Sequence, residues 1–199
     1  YYPKTATNNY LSEYTPYIAR ISASGKMLWH KKFRPYGSQY GAWAYGIIAT
    51  PDGNLLVYGY SESAFGNDQY YQKITTDGNL IWSTTEAIEG SAFRPQKAIP
   101  TLDGGYIFVG SNNSTVVNFD IYLEKIDGNG NKLWGKGHNP EEGIFLGSFA
   151  PAPDGGYMVL GYTQWEADTN DYVTTPLFVK FTSDGIFEWE KMPIIGSWK

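Results

Sequence analysis

The sequence predicts an all-β protein made from one unit used repeatedly, and three observations carry that expectation. First, a basic residue, a glycine five positions on and a tryptophan four further recur as Arg20/Gly25/Trp29, Lys73/Gly78/Trp82, Lys125/Gly130/Trp134 and Lys180/Gly185/Trp189. The tryptophans stand 53, 52 and 55 residues apart. Second, an Asp-Gly or Gly-Gly turn feeds an apolar run closed by glycine at 51–59, 102–110 and 153–161, with Asp52, Asp103 and Asp154 recurring every 51 residues. Third, no stretch keeps a helical period over about ten residues.

Each unit reads as four strands. In the middle copy they lie near 96–101, 105–110, 119–126 and 132–137. The Asp-Gly turn joins strands one and two, because glycine supplies the positive φ that tight turns need. A second turn, Asp127 to Gly130 in this copy, joins strands three and four. Pro100 and Pro151 fall in the first strand, which places that strand at a sheet edge where no donor is missed. Four-stranded antiparallel units at this period are the blades of a β-propeller. The expected division is a half blade at 1–33 and blades at 34–86, 87–138 and 139–199. If Ile126 faces Asn131 across the turn, Trp134 lies opposite Leu123, with Lys125 one diagonal step away on the same face. The same count sets Trp29 opposite Ile18, Trp82 opposite Tyr71 and Trp189 opposite Phe178. The indoles are then expected to be largely buried, with Arg20, Lys73, Lys125 and Lys180 lying along them as cation–π partners that join blades.

The hairpin YLEKIDGNGNKLW resembles the repeat of quinoprotein-type propellers, whose Gly-x-x-x-Trp hairpin docks its indole on the neighbouring blade. The segment DGGYIFVG is similar to the second strand of kelch repeats, although the closing pair here is Gly59-Tyr60, Gly110-Ser111 and Gly161-Tyr162 in place of Gly-Gly. Together they resemble the propeller arrays of large secreted and cell-surface bacterial proteins, many exported by type IX secretion. The resemblance implies a propeller outside the cell or on its surface. It does not carry over the cysteine-linked tyrosine of kelch-type copper oxidases or the vicinal disulfide of quinoprotein dehydrogenases, since the chain has no cysteine. No Gly-His and Trp-Asp pairing of the WD40 kind is present.

A net charge of −5 with scattered Lys and Arg argues against a nucleic-acid groove. No apolar run approaches about 18 residues, so no spanning helix is expected. Aligning residues 1–21 with 161–181 without a gap makes the first segment the latter half of a unit. About three and a half blades of a seven- or eight-bladed ring are therefore expected, the remainder coming from the same longer chain or from another. Any export signal would lie upstream.

Chemistry is expected at the face opposite the tight turns. There the variable stretches 60–69, 111–120 and 162–176 alternate with 33–43, 86–96 and 137–147. They are rich in aromatic and acidic residues, from which Trp43, Trp165, Tyr172, Tyr40, Asp168 and Glu142 are chosen as ligand-binding candidates. Rings beside carboxylates suit stacking on sugars or docking of a protein. The Asp-Gly end is expected to be quiet. His138 with Glu141 and Glu142 offers a possible metal or acid–base set. Asp127, Asn129 and Asn131 have the alternation of a calcium loop, but Lys132 stands where such a loop needs glycine, and a hairpin turn explains them. Asn112 and Asn113 begin glycosylation sequons. The repeated residues all have structural work and no nucleophile–base set clusters, so the expected function is a non-catalytic binding or scaffolding module with protein or glycan partners and no cofactor or metal. The alternative is a quinoprotein-like or carbohydrate-active enzyme using carboxylates such as Glu142 and Asp168.

Overall fold

The computed structural model describes residues 14–35, 41–63, 66–86, 93–113, 118–167 and 171–193. Within these every regular element is a strand. Strands β1 (Tyr17–Ile21) and β2 (Met27–Lys32) form a hairpin. Three four-stranded antiparallel sheets follow in chain order. The first holds β3 (Gly41–Ala49), β4 (Leu55–Ser63), β5 (Gly66–Ile74) and β6 (Leu80–Glu86). The second holds β7 (Phe93–Pro100), β8 (Tyr106–Asn113), β9 (Asn118–Ile126) and β10 (Lys132–His138). The third holds β11 (Phe145–Pro151), β12 (Tyr157–Ala167), β13 (Asp171–Phe181) and β14 (Phe187–Lys191). Pro100 and Pro151 end the edge strands β7 and β11, where a ladder donor is dispensable.

The sheets stack face to face, and the sequence shows why. Along β4 and β8 consecutive side chains are buried, Leu56 to Tyr58 and Tyr106 to Val109, because each sheet is covered on both faces. In β12 burial alternates: Val159 is enclosed while Leu160 is exposed, since the described residues cover only one face of that sheet. Three clusters fill the gaps. Phe33 and Ile18 meet Val57, Tyr70 and Ile74. Leu56, Tyr58 and Tyr71 meet Phe93, Phe108 and Ile126. Ile107, Val109, Ile121 and Leu123 meet Val159, Leu177 and Val179. These are blades in sequence, and among the described residues the sheets do not close into a ring.

The hairpin register differs from expectation by two residues. Trp134 lies opposite Lys125 and not Leu123, and the same holds for Arg20 with Trp29, Lys73 with Trp82 and Lys180 with Trp189. Gly130, at φ 90°, donates to the Asp127 carbonyl, Asp127 donates to Asn131, and Ile126 therefore meets Lys132. A bulge after Lys132 absorbs one more residue. An even shift preserves the face, so basic residue and indole stay side by side.

The lysines do other work than expected. Lys73, Lys125 and Lys180 bind Asp52, Asp103 and Asp154 of their own sheets, at 2.8 Å for the first pair and 2.9 Å for the last. The turn aspartate is thereby tied to the third strand of its own blade. The tryptophans join one blade to the next, and Lys73 also lies over the Tyr106 ring of the following sheet at 5.9 Å. A methyl group placed on Gly78, Gly130 or Gly185 would sit 2.9, 2.8 or 2.5 Å from the ring of Trp29, Trp82 or Trp134. Trp29 and Trp82 also donate from Nε1 to the Thr76 and Gly128 carbonyls at 3.2 and 3.1 Å. These three indoles are half-buried, not fully enclosed, and Trp189 is 38% exposed. The cations that lie over Trp29 and Trp189 are Lys31 and Lys191, at 5.8 and 5.3 Å.

Candidate functional site

At the end of the first sheet away from the Asp-Gly turns, cross-strand pairing sets Trp43 of β3 opposite Tyr60 of β4. Their rings stack at 4.7 Å with 9° between planes. A bulge between Ala44 and Gly46 brings Tyr45 to the same ring, 5.3 Å from Tyr60. Tyr14, held by its carbonyl accepting the Ala42 amide at 2.8 Å, caps the other side 5.3 Å from Trp43. Arg94 of β7 lays its guanidinium over Tyr60 at 5.6 Å. The result is an aromatic row, Tyr14, Trp43, Tyr60 and Tyr45, with a cation over Tyr60. Tyr14 is 60% and Tyr45 41% exposed, so the row is open to solvent at both ends. Burial pushes the Tyr45 phenol up, Tyr60 adds to this and Arg94 opposes it. The phenol is thus a neutral hydrogen-bonding group at physiological pH. Stacked flat rings with one guanidinium can hold apolar planar groups, sugar faces or carboxylates.

Trp165 and Tyr172 belong to paired strands, Trp165 opposite Val173 and Tyr172 opposite Glu166, where an irregular loop was expected. The described residues of 60–69 and 111–120 are likewise strand, because β4 with β5 and β8 with β9 go on pairing. Glu142 is exposed in the turn before β11. Tyr40 and Asp168 lie outside the described residues. The proposed His138 set is not assembled. His138 Nε2 meets Glu190 of the next sheet at 2.8 Å and its ring stacks on Phe187 at 3.9 Å. Among the described residues no three metal-ligating side chains converge. Asn112 is 4% exposed, which removes it as a glycan acceptor in the folded chain.

A buried network escaped the sequence reading. Glu124 of β9 is wholly enclosed and accepts from Gln69 Nε2 at 2.7 and 2.9 Å, from the Tyr71 hydroxyl and from Lys132 Nζ at 2.8 Å. Its donors come from two sheets, so a charge-assisted cluster joins the first sheet to the second. The available signal was the residue before the basic one in each repeat: Ala19, Gln72, Glu124 and Val179. Only one copy carries a carboxylate there.

Stacked four-stranded antiparallel sheets, with Trp29, Trp82 and Trp134 set against the turn glycines Gly78, Gly130 and Gly185 of the sheet that follows each, define a β-propeller of the quinoprotein-like repeat type. A family model described as outer membrane protein assembly factor BamB matches residues 16–185, and the chain belongs to that family. No curated protein matches the chain. No helix among the described residues is long and apolar enough to cross a membrane.

Proposed function

We propose that this chain is a non-catalytic propeller module that works outside the cytoplasm and binds a partner protein through the end bearing Trp43. The aromatic row of Tyr14, Trp43, Tyr60 and Tyr45 beside Arg94 is the observation that carries this reading. Solvent-open tyrosines around a half-buried tryptophan, with a neighbouring arginine, are the residue types that concentrate binding energy at protein interfaces. Membership in a family described by outer membrane protein assembly supports a protein partner and a location beyond the inner compartment. A photo-crosslinking residue at Tyr45 should give one discrete protein adduct in the native host, lost with Trp43→Ala. Adduct formation only from control positions on β6 would overturn the assignment. Retention on a glycan panel that disappears with the same variant would replace the protein partner by a carbohydrate.

A further inference from the structure

The Asp-Gly end, expected to be quiet, holds a cavity of about 560 Å³ between the second and third four-stranded sheets. That volume falls in the range of ligand pockets. Pro100, Pro151, Pro153 and Tyr157 form apolar walls. Lys125, Ser183 and Asp184 supply polar atoms at its side. The same two turn acceptors meet a guanidinium elsewhere in the chain. In the first hairpin the position of Lys125 is held by Arg20, and the positions of Ser183 and Asp184 are held by Thr76 and Asp77. There the Arg20 guanidinium crosses to the next sheet, with Nη1 3.1 Å from the Thr76 carbonyl and 3.3 Å from Asp77 Oδ1.

The three blade interfaces differ at this point. At the first, Arg20, itself half-exposed, reaches across to Asp77 and the Thr76 carbonyl. At the second, Lys73 turns back to Asp52 and the facing turn has Asn129 in place of the carboxylate. At the third, Lys125 turns back to Asp103, yet the carboxylate is retained, and no described residue hydrogen-bonds or ion-pairs Asp184. Of the ionised groups around this cavity, Asp103 and Lys125 cancel and Asp184 leaves it net negative. We propose that the cavity receives an arginine side chain of a partner protein. Its aliphatic stem lies on the proline and tyrosine walls, and its guanidinium donates to Asp184 and to the Ser183 carbonyl, as Arg20 does to Asp77 and Thr76. A planar fork of donors serves a carboxylate and a carbonyl together, which an ammonium does less well. This site lies at the opposite end from Trp43 and stands independently of the proposed function.

The test is a titration of the isotope-labelled full chain with N-acetyl-argininamide, followed by amide NMR. Saturable shifts are expected at 101–104, 152–156 and 182–185, with binding about fivefold weaker for N-acetyl-lysinamide. Asp184→Asn should weaken argininamide by about fivefold or more, and Ala152→Phe, which fills the cavity, should abolish binding. The same shifts with N-acetyl-norleucinamide, no saturable shift in these segments, or an Asp184→Asn variant that binds undiminished would overturn the proposal.

Discussion

Single side chains in this protein have been given different tasks from those their spacing suggests. The repeated lysines balance the turn aspartates. Asp103 is held down to about 2 by the ammonium of Lys125 and the hydroxyl of Thr101, and Asp52 is lowered by Lys73 and Thr50 in the same way. Folded-state values below the unfolded one mean that the ionised form favours folding. This contribution is complete above about pH 4 and is lost as pH falls through about 2. Urea midpoints measured from pH 5 to pH 2 should therefore drop, and Asp52→Asn with Asp103→Asn should flatten the drop. The effect per pair is small, about 1 kcal/mol or less, because these carboxylates are half exposed. Glu124 is the opposite case. It is enclosed, and Glu124→Gln removes the buried negative charge on which Gln69, Tyr71 and Lys132 converge, so a loss of about 2–4 kcal/mol in chemical denaturation is expected.

Between elements, the unit of cohesion is an indole on a turn. Gly130 meets two demands at once: a φ of 90° and the presence of the Trp82 ring where a Cβ would go. Gly130→Ala should therefore cost more than the about 1 kcal/mol of a turn substitution alone. Trp82→Ala should cost about 2–3 kcal/mol, below the full core value because the ring is only half-buried. In the double variant the two losses should fall short of their sum by more than about 0.5 kcal/mol, as contacting residues do. Strict additivity would show that the ring and the turn do not act together. The His138–Glu190 pair adds a polar clasp between the outer strands β10 and β14.

Over the whole molecule, stability should follow position in the stack. Strands β8 and β9 are covered on both faces, whereas β1 and β2 form a two-stranded sheet with Tyr17, Ile21, Met27 and Leu28 exposed. A two-stranded sheet depends on its neighbour for order. Native-state hydrogen exchange should rank β8 and β9 amides slowest and β1 and β2 fastest. Equal protection in the first hairpin and in β9 would contradict this account. Repeat architectures stabilise through nearest-neighbour interfaces. Leu123→Ala, at the interface between the second and third four-stranded sheets, should accordingly cost about 3 kcal/mol and accelerate exchange in both.

The repeat, the strands and the two turns of each unit are legible in the residues alone, because they rest on short-range chemistry. Asp52-Gly53, Asp103-Gly104 and the glycines before each tryptophan demand particular backbone conformations whatever surrounds them. The sequence also placed Trp43 at the end where the aromatic row is found. The partners of Trp43 were not legible: Tyr45 joins the row only through a bulge, and Arg94 arrives from the next sheet. Tertiary structure alone decided that Lys125 turns to Asp103, that Trp134 rests on Gly185 and that Glu124 gathers donors from two blades. Each choice depends on which sheet faces which and on a register that one bulge moves by a residue. Local pattern fixes the parity of that register, and only packing selects among the pairings that share it.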